Sequence, residues 1–310
     1  MLGLALAVSN APYMYRPKKD WQAIYDSQLT DGVESPNELA DETEEVVDDY
    51  ILRIQEGFST LRAQLDQYKP DVVVVLGSDD GISFSDAQVP QFCTYTGDEV
   101  MGSTAIAALG EDPTAHTVEL PCLPNFAWEL QTSLVHHGFD INYMSIQNPL
   151  GRPEYGMASA FTRPTSVLLE GSSVPVVPVF VNCRVEPTPS GHRVHDFGTA
   201  IGDILEDAPL KAALLTVGGL SHDPNGARSG WIDTRLDSFV LTHLGKGDSS
   251  RLKTLFDVDS DTLSGGTGEV RTWIAAGAAA ETKGGKATIV DYIPAHRAMT
   301  GIGFAHWTLD

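Results

Sequence analysis

The chain has 310 residues, enough for one large α/β domain or two modest ones, and 42% hydrophobic with 20% charged residues suits a folded globular protein. Twenty Lys and Arg against 42 Asp and Glu give a net charge of −22, a field that repels polyanions and excludes nucleic acid and anionic membrane as partners. Cys93, Cys122 and Cys183 stand far apart with no CxxC or Cys/His zinc spacing, which argues against a disulfide scaffold and structural zinc and fits a reducing cytoplasm.

Residues 2–8 are a short apolar run ending in Ser-Asn-Ala-Pro, the pattern of a buried strand feeding a loop rather than of a signal peptide. No apolar run reaches bilayer-spanning length, so a cytoplasmic protein is expected. Residues 34–68 carry Val46, Val47, Ile51, Ile54, Phe58, Leu61 and Leu65 near helical spacing, which predicts an amphipathic helix whose acidic positions 41–49 form a solvated start. Residues 71–80 hold four consecutive valines and a leucine before Gly-Ser-Asp-Asp, the pattern of a central strand and the loop at its C-terminal end.

Further along, 124–137 is a predicted helix and 141–146 a strand; 174–182 is strand-like, with prolines that place it at a bend or edge. Residues 194–206 are a helix, 213–223 a buried strand closing in a Gly-Gly turn, and 266–281 a helix with a glycine-rich entry. Strands at 287–295 and 302–309 end the chain. Strands alternate with helices and no linker divides them. The expectation is therefore one α/β domain over 1–310, with a mostly parallel or mixed central sheet flanked by helices.

In open α/β sheets, reactive groups collect on loops at the carboxyl ends of strands. Four segments qualify: Ser9-Asn10, Asp79-Asp80, Ser221-His222-Asp223 and Gly268-Glu269. Each alone has a plainer reading, as a turn, a cap or a core histidine. The glycines before Glu269 lack the Lys-Ser/Thr of a P-loop, and the chain has no G-x-S-x-G nucleophile elbow.

Taken together and in order, the segments resemble a family. GGLSHDPNG after an apolar strand is similar to the Gly-Gly-(Leu/Met)-Ser-His-Gln segment of class III extradiol ring-cleavage dioxygenases, of the protocatechuate 4,5-dioxygenase catalytic-subunit type. LALAVSNAP resembles the opening strand with its Ser-His-x-Pro, and PDVVVVLGSDDGISF with the following PQF resembles the strand, Asp-His and Pro-x-Phe segment. VPVFVN, PTPSGHRVHDFGTAIGDIL, GTGEVRTWIAAGA and YIPA complete a match over nearly the whole chain.

The resemblance implies an Fe(II) site of two histidines and one glutamate with open positions for catechol and dioxygen. Carried over position by position, the glutamate is Glu269, but the two histidines are replaced by Asn10 and Asp80. The family's central Asp-His-Gly stands here as Glu154-Tyr155-Gly156, while its acid–base histidine is retained as His222. Arg297 and its neighbour His296 fall where the family contacts substrate.

Three readings follow. The first is an enzyme without catalytic iron, acting on a small phenolic or carbonyl-bearing compound by hydrolase, lyase or isomerase chemistry. His222 is its acid or base, Asp80, Glu269 and Tyr155 assist, and Asn10, His296 and Arg297 bind substrate. No cofactor is expected, although Asn10, Asp80 and Glu269 offer oxygen donors to Mg²⁺, Mn²⁺ or Ca²⁺. The second is a ring-cleaving dioxygenase with an atypical Fe(II) centre. The third is a non-catalytic partner of a heteromeric dioxygenase. The resemblance implies a homo-oligomer, or a hetero-oligomer with a related subunit.

Overall fold

The computed structural model describes residues 1–258 and 260–309. The first half of the chain runs β1 (Leu2–Val8), α1 (Lys18–Gln28), α2 (Glu44–Tyr68), β2 (Val72–Gly77), β3 (Phe92–Tyr95), β4 (Glu99–Ser103), β5 (Thr117–Pro121), α3 (Pro124–His136) and β6 (Asn142–Met144). The second half runs α4 (Ser159–Leu168), β7 (Val176–Val181), α5 (Gly191–Asp207), β8 (Ala212–Val217), α6 (Thr234–Lys246), α7 (Val270–Glu281), β9 (Thr288–Ala295) and β10 (Thr300–Thr308).

Eight strands form one mixed sheet in the order β6-β3-β7-β2-β8-β1-β10-β9, and β4 pairs with β5 in a separate ribbon. The centre is parallel: β8 lies between β2 and β1, with Leu76 opposite Thr216 and Val8 opposite Val217, so the three strands end almost level. β9 and β10 close one side as an antiparallel pair. This is the expected α/β arrangement with a mixed sheet.

Strand periodicity sorts the core into two layers. Leu4, Leu6, Val8, Val73, Val75 and Leu215 pack on one face against residues such as Ile24, Ile54 and Phe161 of α1, α2 and α4. Leu2, Ala5, Val72, Val74, Leu76 and Leu214 pack on the other against α3, α5, α6 and α7. Burial on both faces explains why β1, β2 and β8 are continuous apolar runs rather than alternating ones.

Three details differ from the sequence reading. The 34–68 segment is not one helix: a 3-10 turn at Asn37–Asp41 precedes α2, which starts after Thr43, whose side chain caps the Val46 N–H. Within the acidic run Glu42 is buried, where its carboxylate accepts the backbone N–H groups of His296 and Arg297.

The strand at 174–182 is interior rather than at an edge, because β3 covers it on one side and β2 on the other. Pro178 is tolerated because the β3 register reaches only Val179–Val181, just past the proline, so no ladder bond to β3 is lost there. Third, α1, α4, α6 and the β3–β5 region have no counterpart among the expected elements.

α5 and α7 cross in close contact on one face of the sheet, and α7 begins directly after Glu269. Gly198 makes the approach feasible: a Cβ there would overlap the backbone oxygen of Ala275. Gly198→Ala is therefore expected to lower stability by about 1–3 kcal/mol, as overpacking of a close contact does. A urea-denaturation midpoint indistinguishable from wild type would contradict this packing.

Candidate active site

The level ends of β1, β2 and β8 place Asn10, Asp80 and the turn after Val217 side by side. These groups, with His222 and Glu269, line a cavity of about 400 Å³ whose far wall includes Ser159 and Arg163 of α4. All four strand-end segments singled out in the sequence thus meet in one pocket of a size suited to a small molecule.

His222 is held from several sides. Its N–H donates to Thr267 Oγ1 at 3.0 Å, and Thr267 Oγ1 donates to the His222 carbonyl at 3.0 Å. The preceding residues zip onto β10, with Leu220 N to Gly301 O at 3.0 Å and Gly301 N to Ser221 O at 2.9 Å. Ring Nδ1 lies 2.8 Å from the carbonyl of Leu220. A carbonyl only accepts, so Nδ1 carries the proton of the neutral ring and Nε2 keeps its lone pair.

Nε2 lies 3.6 Å from Glu269 Oε2, too long for a hydrogen bond and close enough for the carboxylate to stabilise an imidazolium. Glu269 is positioned in turn by the N–H of Gly219, 3.0 Å from Oε2, while Trp273 Nε1 of α7 donates to Gly218 O at 2.7 Å. Gly218 has φ +117°, and a Cβ at that position would press on the Glu269 side chain.

Across the cavity the oxygen groups are joined in a chain. Tyr15 OH donates to Asn10 Oδ1 at 3.1 Å, Asn10 Nδ2 to Ser159 Oγ at 3.1 Å, and Ser159 Oγ to Asp80 Oδ2 at 2.9 Å. Asp80 Oδ1 is buried and, among the described residues, has no hydrogen-bond partner. Asp79 instead shapes the loop, since its carboxylate accepts the N–H groups of Gly81, Ser83 and Phe84.

Among the described residues no group of three His, Cys, Asp or Glu side chains converges in a metal-ligating arrangement. The cavity is instead bordered by guanidinium groups. Arg152 donates to the Asp80 carbonyl at 3.0 Å and lies 4.0 Å from Asp80 Oδ2, and Arg163 and Arg184 line the same space. Burial pushes the Arg163 guanidinium below its usual range, opposed by the nearby negative charge of Asp80.

Three residues singled out in the sequence lie elsewhere. Tyr155 borders a neighbouring cleft with Tyr95 and Gln147, and Arg152 stands over its ring at 5.1 Å. His296 and Arg297 sit in the turn between β9 and β10, held by Glu42, with Arg297 Nη1 donating to Gln22 Oε1 at 3.3 Å; neither lines the cavity.

Sequence reasoning missed Asp237, a fully buried carboxylate on α6. It accepts Ser221 N at 2.9 Å, Ser221 Oγ at 2.7 Å and Tyr292 OH at 2.7 Å, and so fixes the residue before His222. Its sequence neighbourhood carries no sign of this, because both partners are distant in the chain.

In an open α/β sheet, polar groups gathered at the strand ends mark the place where such folds bind ligands. Comparison with protein families makes the class specific. Residues 35–305 match the family model described as the catalytic LigB subunit of aromatic ring-opening dioxygenase, and the chain belongs to this family.

A protein of Photorhabdus laumondii named 2,3-dihydroxyphenylpropionate/2,3-dihydroxicinnamic acid 1,2-dioxygenase is 25% identical over 64% of this chain and 58% of its own length. A Pseudomonas putida protein of the same name, numbered 2, is 29% identical over 61% of this chain and 55% of its own length. The matched region thus spans little more than half of these relatives. The crystal structure of an uncharacterized protein from Escherichia coli K12 shares the fold, with TM-score 0.51 and 10% identity over 98% of this chain and 99% of that one.

Burial raises the Asp237 pKa from the usual carboxylate range to about 6, against the opposing hydrogen bonds from Tyr292 and Ser221. The folded state therefore holds a proton that the unfolded chain has released between about pH 4 and 6, and this contribution to stability is lost as pH rises through that window. Relative to Asp237→Asn, the wild type should lose up to about 3 kcal/mol between pH 4 and 7. Parallel denaturation series at several pH values check this; a constant difference would contradict it.

Proposed function

We propose that this chain is an enzyme of the family that moves a proton on a small phenolic or carbonyl-bearing compound, in a hydrolase, lyase or isomerase type of reaction without catalytic iron. The observation that carries the reading is the state of His222. Nδ1 is committed to Leu220 O, so Nε2 is the atom free to take or give a proton, with Glu269 placed to stabilise the charged ring. Asp80 lines the cavity with Oδ2 anchored by Ser159 Oγ, and its carboxylate is the acceptor offered to a substrate hydroxyl. Asn10 acts from inside the Tyr15–Asn10–Ser159–Asp80 chain, which keeps the Asp80 carboxylate in place.

The residues present do not fit the Fe(II) site that the family resemblance implies. Imidazole suits that ion, and two imidazole positions are occupied by an amide and a carboxylate. Arg152 brings a positive charge to 4.0 Å from Asp80 Oδ2, which opposes a cation there. A guanidinium-bordered cavity also disfavours Mg²⁺, Mn²⁺ or Ca²⁺. Tyr155, His296 and Arg297 lie outside this cavity, so the proposed reaction rests on His222, Glu269, Asp80 and Asn10.

The second reading, ring cleavage by a metal-dependent dioxygenase, draws support from the names of the relatives. The two readings diverge under chelation. A panel of phenols and carbonyl compounds is screened by NMR for conversion or for deuterium incorporation from D₂O, in parallel with oxygen uptake on catechols. The expected result is turnover indifferent to EDTA and reduced about 10²–10⁴-fold in His222→Ala. Catechol-dependent oxygen uptake that EDTA abolishes would overturn the reading in favour of the second.

A further inference from the structure

Asn10, Asp80 and His222 reach the cavity from the segments that follow β1, β2 and β8, so the sheet decides where they stand. One stretch of the lining comes from elsewhere. Ile106, Ala107 and Ala108 belong to the connection between β4 and β5, the ribbon outside the main sheet. A 3-10 turn covers Ala107–Leu109 there and ends at Gly110 with φ +66°. The turn packs against α1, whose Ile24 lines the same cavity. Ile106 is buried, Ala108 half-buried and Ala107 exposed, so the stretch runs from the interior to the rim.

This turn is held from three sides. The Glu111 carboxylate accepts the Ile106 N–H at 2.8 Å and receives Arg16 Nε at 3.0 Å and Arg16 Nη2 at 2.6 Å. Ser103 Oγ accepts the Ala105 N–H at 3.0 Å. Arg163 of α4 donates from Nη2 to the Ala105 carbonyl at 2.8 Å. Arg163 thereby ties the turn to the helix whose Ser159 holds Asp80, and the apolar side of the cavity keeps its distance from the polar side. A two-pronged Arg–carboxylate pair and three backbone contacts make a wall rather than a loose lid.

Hydrogen bonds to His222 and Asp80 fix how a bound compound is turned, whereas size is read by apolar surface, where one methylene changes affinity several-fold. We propose that the Ile106–Ala108 stretch is the specificity-determining wall of the cavity: Ile106 limits its depth, and the two small alanines admit a short apolar substituent that runs from the body of the substrate to the rim. The proposal deepens the proposed function by setting the shape of its substrate, and it rests on that reading for the reaction but not for binding.

The test is ligand-observed NMR titration of the full chain with phenol, 4-ethylphenol and 4-propylphenol. In the wild type each added methylene should strengthen binding about two- to fourfold. Ala107→Trp, at an exposed position that does not endanger folding, should weaken 4-propylphenol roughly fivefold or more and phenol less than about twofold. Ala108→Leu should act in the same direction, whereas Ala63→Trp, exposed on α2, should change neither ligand.

A wild-type series without gain, or an Ala107→Trp protein in which 4-propylphenol loses no more than phenol does, would overturn the proposal. His222→Ala keeps the failures apart: the gain along the series should persist in it although turnover is lost. Unimpaired turnover in that variant would remove the acid–base reading and leave the wall standing. A series that Ala107→Trp does not disturb, beside turnover that His222→Ala abolishes, would do the reverse.

Discussion

The arrangement depends on three buried parallel strands that end at one level. β8 is held between β2 and β1 in matched register, so the residues just past Val8, Gly77 and Val217 must lie next to one another. The chain can change what those residues are without changing where they are. The rest of the site is built onto this edge: α7 lays Glu269 over the end of β8, and β10 grips the segment leading to His222 through paired backbone hydrogen bonds. Asp237 and Thr267 then remove the remaining freedom around the histidine. Most of these contacts are backbone to backbone or side chain to backbone, which explains how the ring is fixed by a loop rather than by a regular element.

The same edge explains how a family scaffold can carry a different electrostatic balance. Asn10 and Asp80 occupy positions at which the family resemblance implies imidazole ligands, and both are drawn into a hydrogen-bonded chain with Tyr15 and Ser159. Guanidiniums from α4, from the loop before it and from the end of β7 border the cavity. In the proposed function the imidazole that matters is the one whose Nε2 is left free. The charged neighbours then set which substrates are admitted rather than which metal is held.

Much of this frame was legible because burial on both faces of a sheet leaves a plain mark. The runs 2–8, 71–77 and 213–217 are apolar without interruption, and each stops at a polar turn that reaches the cavity. Glu269 was visible for the opposite reason, as an acidic residue between a glycine-rich stretch and an apolar helix. Arg163 was not legible: it precedes Pro164 inside α4, a helix whose proline conceals the helical pattern, and its role follows from where α4 packs. His296 and Arg297 illustrate the reverse. The family resemblance implies substrate contact there, but their backbone groups are tied to Glu42 from a segment far earlier in the chain, a pairing that no local pattern announces.

The most direct measurement of the central claim is the metal content of the untagged protein purified anaerobically without chelator, read by elemental analysis against protein concentration. A cavity that works through a free imidazole beside guanidinium groups should hold iron, manganese, magnesium and calcium far below one equivalent. One equivalent of iron per chain, lost together with activity on chelation, would contradict the account and place the chemistry at a metal after all.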